Sequence, residues 1–444
     1  MRASFLHVAD THLGYEQYGV KERFNDFSRA FWNIMEVALE RKVDFVVIAG
    51  DLFNKRAIDA LTLIHAIEGL KRLKEAGIPV LAIEGNHDRS YYRDGASWLQ
   101  FLCHQGYLVL LAPVMRGGSP VLEPWNPENM LGAYMDLVGG RLRVYGLPWQ
   151  GAATVRSMEG LSEGLRETRS AEDEAGIEYR LLLMHTGVEG IIARVQGLPS
   201  MTQFQPLREH IDYLALGHVH KPYEFDGWMY NPGSTETCGA EESAWDRGYY
   251  IVEIDTEAVE SPDPRGEAAH HRAIHHTNVR RPFVRHELHV EGINEPELLY
   301  QALEAYCRKE AGKHSEEQLR PVVQISLAGT LPFDRGELDQ QRMEKLVGDY
   351  FDPLYVRVDN NTNDRDYEPE GEGLDGRDRS TWHELERRIF EDLIATDERY
   401  LPAKEKWSVV LTEMKQMALQ KDDPGDIASF LRKKRQELLG NANN

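Results

Sequence analysis

Residues 80–88 read Val-Leu-Ala-Ile-Glu-Gly-Asn-His-Asp: an apolar run without alternation that breaks into a glycine, a carboxamide, an imidazole and a carboxylate. Short runs of this kind with no polar face read as strands buried on both sides. Polar residues directly behind such a strand lie at its carboxyl end, where α/β sheets gather their functional groups. One ending of this type is an ordinary turn, so its meaning depends on whether other strands end in the same way.

Four more do. The runs 5–9, 45–49, 181–184 and 213–216 lead into Asp10-Thr11-His12, Gly50-Asp51-Leu52-Phe53, His185 and Gly217-His218-Val219-His220. Between the first three runs, Phe24, Phe27, Phe31, Ile34 and Ala38, then Leu63, Ile67, Leu70 and Leu73, recur at helical steps. Strand alternating with helix predicts an α/β layered domain. The side chains at the strand ends are carboxylates, a carboxamide and imidazoles, with no thiolate among them. That donor set suits two hard or borderline divalent ions such as Mn2+, Fe2+ or Zn2+, and argues against a closed structural zinc site.

Composition narrows the setting. The chain has 444 residues, 41% hydrophobic and 28% charged, which is long enough for two or three domains. No stretch approaches the ~20 consecutive apolar residues of a membrane span, and the N-terminus meets an ionisable residue too early for a signal-peptide core. Cys103, Cys238 and Cys307 form neither a CxxC pair nor a disulfide framework. The expected location is a reducing cytosol. A net charge of −22 repels a phosphate backbone, so a nucleic-acid role requires local positive charge from metals, basic patches or a partner.

The ordered set D-x-H, G-D, G-N-H-D, H and G-H-x-H resembles the signature of the calcineurin-like metallophosphoesterase superfamily, with every element present. "GDLF" at 50–53, "YGLPW" at 145–149, "NPGS" at 231–234 and "NVRRPFV" at 278–284 are similar to its double-strand-break repair exonuclease branch, of the SbcD/Mre type. The likeness covers about 1–360 and weakens along the chain. It implies an α/β fold: a layered β-sandwich flanked by helices, a small α+β capping domain and C-terminal helices. It further implies that Asp10, His12, Asp51 and His220 hold one metal ion and Asp51, Asn86, His185 and His218 the other, with Asp51 bridging. Mn2+ is the expected ion, Fe2+ and Zn2+ the alternatives. Paired divalent ions acidify water and clamp phosphate oxygens for in-line attack. Two aspartates against two such ions leave the centre net positive.

His87 is then the catalytic candidate, as proton donor to the leaving group or as a stabiliser of transition-state charge. Asp88 either orients His87 or serves the turn. One departure stands out: the branch often carries His directly after GDLF, and this chain has Asn54, which transfers no proton near neutral pH. Lys55 and Arg56 follow it with positive charge. Arg89 and Arg93, beside Tyr91 and Tyr92, are candidate DNA contacts, against the competing reading of a loop packed on its own domain. The His270-His271 and His275-His276 pairs read as linker or strand rather than a second metal site.

The expected organisation is a nuclease domain over 1–277, a capping domain over 278–358, a polar Gly-rich linker over 359–380 and a helical partner-binding region over 381–444. Thr381-x-x-Glu384 resembles a capping box, and further helices are expected near 403–419 and 425–438. The function implied is metal-dependent hydrolysis of DNA phosphodiesters in double-strand-break repair. The implied partners are DNA, an SMC-like coiled-coil ATPase of the SbcC type and a second copy of the chain, with 58–76 or the Trp98–Cys103 region as candidate dimer contacts. The alternatives are a phosphoesterase of nucleotides or phosphoproteins, and a non-catalytic scaffold. Phosphatases of the superfamily tend toward GNHE, and a scaffold would have lost ligands, whereas this chain keeps GNHD and the full set.

Overall fold

The computed structural model describes residues 1–91, 95–174, 176–192, 197–257, 270–314, 319–364, 390–391, 394, 400, 403–419 and 424–439. Two six-stranded sheets form its centre. The first runs in the order His271–Thr277, Gly248–Asp255, Arg2–Val8, Phe45–Ile48, Val80–Ala82, Val109–Leu110. The second runs Tyr223–Phe225, Met229–Asn231, Tyr213–Gly217, Tyr179–His185, Leu142–Leu147, Tyr134–Leu137. Parallel pairs make up the middle of both sheets and continue to the edge strand Val109–Leu110 of the first, and antiparallel strands close the other three edges.

The apolar runs of the sequence are explained by what each face covers. Successive side chains of a strand point to opposite faces. Phe5, Phe45, Val47, Leu181, Leu183 and Ala215 meet between the sheets, while Leu6, Val8, Val46 and Ile48 point outward beneath the helices Lys21–Arg41 and Ala60–Glu75. On the other side Leu182, Met184, Leu214 and Leu216 lie beneath the helices Thr154–Glu174 and Met201–Arg208. Helix, sheet, sheet and helix are therefore stacked layers, and neither face of a central strand is left for water.

After the edge strand His271–Thr277, residues 278–281 are bolted to this body. Asn278 Nδ2 donates to Ala30 O and Thr235 O, both at 3.2 Å, and Arg281 makes a two-point pair with buried Asp26 at 2.6 and 3.0 Å. A small unit follows, with a parallel sheet of Phe283–His289, Val322–Ala328 and Tyr355–Asn360. The helices Pro296–Ala311 and Gln340–Phe351 share its core with Leu303, Ile325 and Val347. Pairing runs beyond the boundary expected at 358: Asn363–Asp364 adds to Thr330–Leu331. Residues 359–364, expected as the start of a linker, thus include strand, because backbone pairing compensates their polar side chains. Tyr18 stacks on Tyr355 with ring centroids 4.2 Å apart.

The chain divides into compact units at 365/366. In the second unit the helices Lys404–Leu419 and Pro424–Leu439 share a small core in which Trp407 and Val410 meet Phe430 and Leu431. The capping box at 381–384 and most of the helix expected behind it lie outside the described residues. Among the described residues no helix is long and apolar enough to cross a membrane.

Candidate metal centre

The parallel strands of both sheets end at one edge, and every ligand candidate follows one of those ends. Beyond the first two strands the chains stay zipped: the N–H groups of Asp10, His12 and Leu13 donate to Gly50 O, Asp51 O and Leu52 O at 3.1, 3.1 and 2.9 Å. This sets Asp10 and His12 beside Asp51. The turns are tight enough to put Asp10 (φ 52°), His12 (φ 45°), Asp51 (φ 51°) and His218 (φ 83°) in the left-handed region. For residues with a Cβ that conformation costs energy, and it recurs where a site dictates backbone path. Gly85 serves the same crowding, since a Cβ there would collide with the Asp51 carboxylate.

The side chains form two touching groups. His12 Nε2 faces His220 Nε2 at 3.0 Å. Across from them, His185 Nε2 lies 3.2 Å from Asp51 Oδ2 and 3.2 Å from Asn86 Oδ1, and His218 Nδ1 lies 3.0 Å from the same Asn86 oxygen. Asp51 belongs to both sides: it has a donor atom within 4.8 Å of His12 and His87, and one within 4.8 Å of His185 and His218. Asp10 is fully buried and accepts the N–H of His218 on both oxygens, at 3.1 and 2.9 Å.

These atoms fit cations. His185 Nδ1 donates to Ala49 O at 2.7 Å, so the Nε2 of a neutral ring turns a lone pair toward two further acceptors, Asp51 Oδ2 and Asn86 Oδ1. Acceptors converge this way around a proton or a metal ion. With a proton in that role, burial would lower His185, but the adjacent Asp51 outweighs it and lifts the imidazole to about 9. Burial likewise opposes ionisation of Asp51, yet His185, His12 and His87 hold its carboxyl well below the usual range. Burial pushes Asp10 up to about 6. His12 is 2% exposed, and its Nδ1 has no hydrogen-bond partner.

His87 stands beside this group, its ring centroid 5.0 Å from that of His12. Its N–H donates to Asp51 Oδ1 at 2.9 Å, and its Nδ1 donates to the main-chain oxygen of Asn54 at 2.6 Å. The group that orients His87 is therefore a carbonyl, not Asp88. Asp88 faces the other way, accepting from Leu52 N (3.3 Å), Phe53 N (3.0 Å) and Gly85 N (3.0 Å). It staples the GDLF turn to the GNHD turn.

The other motifs support the same site. Asn231 of NPGS spans the His220 turn, donating from Nδ2 to Val219 O (2.6 Å) and Lys221 O (2.8 Å). Trp149 of YGLPW lies under Arg89, 5.6 Å from guanidinium to ring. Arg56 lies over Tyr91 at 5.7 Å, Lys55 and Arg89 are exposed, and Arg93 and Tyr92 lie outside the described residues. The histidine pairs at 270–276 are spent in strand pairing and local bonds: His271 meets the hydroxyls of Tyr179 and Tyr230 at 2.8 and 3.1 Å.

Two residues near the centre carry no strand-end signal in the sequence. Glu242 accepts from His220 Nδ1 at 2.8 Å and is paired with Arg247 at 3.2 Å. This fixes the tautomer in which Nε2 is left to bind, as a carboxylate behind a metal-binding histidine does. Cys238 has its sulfur within 4.8 Å of the donor nitrogens of His12 and His220. Both come from the loop after NPGS, which only the fold brings alongside.

Residues 3–222 match the family model described as calcineurin-like phosphoesterase, and over that region the chain belongs to this family, whose members hold a dinuclear divalent metal site. Among relatives, the chain is 34% identical over 249 residues to the DNA double-strand break repair protein Mre11 of Archaeoglobus fulgidus, covering 54% of this chain and 52% of that one. It is 44% identical over 259 residues to the protein of that name from Methanococcus maripaludis (56% and 63%), and 31% over 264 residues to that of Haloferax volcanii (57% and 50%). The branch suggested by GDLF, YGLPW and NPGS is the one these relatives carry in their names. The chain spans about half the length of the curated relatives it matches.

Proposed function

We propose that the chain is a divalent-metal-dependent nuclease that hydrolyses DNA phosphodiesters in double-strand-break repair. The observation that carries this is Asp51 shared between two donor groups, with His87 beside both, in a chain whose relatives are named for break repair. Asp10, His12, Asp51 and His220 would hold one ion and Asp51, Asn86, His185 and His218 the other, with Mn2+ as the activating metal. Bound there, the ions supply the activated water and the positive charge that a phosphodiester requires.

The chain's own residues do the rest. Donation from His87 Nδ1 to the Asn54 carbonyl leaves Nε2 to face the site; in the doubly protonated ring that nitrogen gives its proton to the leaving oxygen or hydrogen-bonds the charge developing on the phosphate. Asn54 contributes that carbonyl whatever its side chain, so the departure from histidine leaves His87 anchored. Asp88 keeps the two ligand-bearing turns in register. Lys55, Arg56 and Arg89 at the rim counter the repulsion between DNA and a chain of charge −22.

The assembly follows from exposed apolar surface. Leu61 and Ile64 are 45% and 48% exposed on Ala60–Glu75, and Phe101 is 36% exposed on Trp98–His104; a second copy of the chain would cover them in a homodimer. The helical hairpin of the C-terminal unit is the proposed dock for an SMC-like coiled-coil ATPase, which would also supply DNA affinity. Three free cysteines suit the reducing cytosol.

The deciding experiment titrates Mn2+ against end-labelled single- and double-stranded DNA, with a chromogenic phosphodiester, a nucleotide monoester and a phosphopeptide as comparisons. Metal-dependent DNA cleavage is expected, and Asp51→Ala should abolish it together with the binding of both ions. Turnover of the monoester or phosphopeptide with DNA left intact would refute the nuclease reading. Two bound ions with no hydrolysis of any substrate would make the chain a scaffold.

A further inference from the structure

The loop after NPGS is held too firmly for its cysteine to be incidental. Gln17 Nε2 donates to Cys238 O at 2.9 Å, Arg23 Nη2 donates to Thr237 O at 3.0 Å, and Cys238 N donates to Glu242 Oε2 at 3.1 Å. These bonds come from the start of the Lys21–Arg41 helix, from the turn before it and from Glu242, the carboxylate behind His220. They fix the Cys238 backbone on three sides, and its sulfur then lies with the His12 and His220 nitrogens, all within 4.8 Å of one another.

A cysteine near two histidines is not in itself a site. The second observation is His12. It is 2% exposed, its Nδ1 is without a partner, and its Nε2 faces the Nε2 of His220, whose Nδ1–H donates to Glu242. Two imidazole nitrogens 3.0 Å apart share at most one proton. Whichever holds it, His12 keeps a buried nitrogen unsatisfied, which is costly unless an electrophile sits among these donors. A cavity of about 120 Å³ bounded by Tyr18, Tyr355 and Arg357 also has Cys238 in its wall.

We infer that Cys238 is a further donor on the His12–His220 side of the centre, beside Asp10 and Asp51, and tilts that side toward a thiophilic divalent ion such as Zn2+, in preference to Mn2+. The inference rests on the reading of His12 and His220 as metal ligands. Its physical ground is ligand softness: carboxylates, imidazoles and waters accept Mn2+, whereas a thiolate added to such a set shifts it toward Zn2+ or Co2+. Ion binding would release the thiol proton to solvent. The other side, with Asp51, Asn86 and two imidazoles, has no sulfur and stays suited to Mn2+. The two halves of one centre would then differ in their preferred metal.

The probe is Co2+, whose bond to a thiolate gives a near-ultraviolet charge-transfer band that nitrogen and oxygen donors do not give. The full chain, stripped of metal and titrated with Co2+, should bind two ions and show this band. Cys238→Ser and Cys238→Ala should keep the unfolding midpoint and lose the band. In competition between Zn2+ and Mn2+ followed by elemental analysis, both variants should lose preference for Zn2+ by at least the roughly 10–100-fold that disturbing a metal's outer partners costs. Cys103 and Cys307 are buried in the cores of other elements, so the band has a single source. Two cobalt ions without the band in the wild type, or a band that survives both variants, would overturn the role of Cys238 and leave the dinuclear centre standing. Failure to bind cobalt at all would overturn the centre and this inference with it.

Discussion

Replacing Asp88 by alanine tests whether the two ligand-bearing turns are held by one side chain. Asp88 is 2% exposed and accepts three main-chain N–H groups, from Leu52, Phe53 and Gly85. In Asp88→Ala all three lose their acceptor in a region where Leu52 and Phe53 are essentially inaccessible to water. Each buried donor left unsatisfied costs about 1–3 kcal/mol. The Leu52 bond is the longest and a water entering the vacated space would recover part, so the lower end applies, about 3–5 kcal/mol in total. Against this, burial and the neighbouring Asp51 push the Asp88 carboxyl up to about 7, so removing it relieves some repulsion. Asp88→Asn separates the two effects. It keeps one oxygen for Leu52 and Gly85, sheds the charge, and turns an NH2 group toward Phe53 N, for a loss of about 1–2 kcal/mol. The assay is denaturant unfolding of chelator-treated protein, paired with metal titration of the folded variants. Both should bind metal more weakly, because Asp51 and Asn86 sit on the turns that come loose. An unfolding midpoint in Asp88→Ala equal to wild type would show that these amides find other partners, and the stapling argument would fail.

His87→Ala should keep two bound ions and DNA affinity while losing about 10²–10⁴ in rate, the scale of general acid–base catalysis; loss of metal in elemental analysis would make His87 a ligand instead. Asn54→His should raise the exonuclease rate with metal content unchanged, since the carbonyl that anchors His87 is main chain; a single-turnover assay with an unchanged rate would end that claim. Acid should destabilise the fold through His7. Burial lowers His7 from 6.5 to about 3, aided by nearby His275 and opposed by its bond to Leu216 O. Between those values only the unfolded chain takes up the proton, so His7's contribution is complete above pH 6.5 and falls by about 1.4 kcal/mol per pH unit toward pH 3. Unfolding midpoints at pH 7 and 5 should therefore diverge less in His7→Gln than in wild type. Deleting 381–444 should leave metal content intact, because every proposed ligand, Cys238 included, lies in the first compact unit, and should abolish capture of the proposed ATPase partner in a pull-down.

The donor types and their order were legible in the sequence because each ligand candidate directly follows its own strand. An apolar run and the polar residue behind it are local features, so Asp10, Asp51, Asn86, His185 and His218 stand out as candidates without any knowledge of the sheet. The doubly buried strands were legible for the same reason: Val46 and Val47 are both apolar because one faces helix and the other faces sheet. What faces a ligand from behind is not local. Glu242 and Cys238 lie in a loop that the chain reaches only after both sheets are laid down, and Asn54 touches His87 through a carbonyl, which every residue but its geometry has in common. Asp88 shows the limit most clearly. Its position next to His87 suggested that it orients the imidazole, but in a turn adjacent side chains point apart, so Asp88 reaches the amides of the neighbouring strand's loop and His87 reaches Asn54. Sequence determined which atoms could bind a metal; the approach of two sheet edges decided which of them meet, which proton each imidazole keeps, and which sulfur stands beside them.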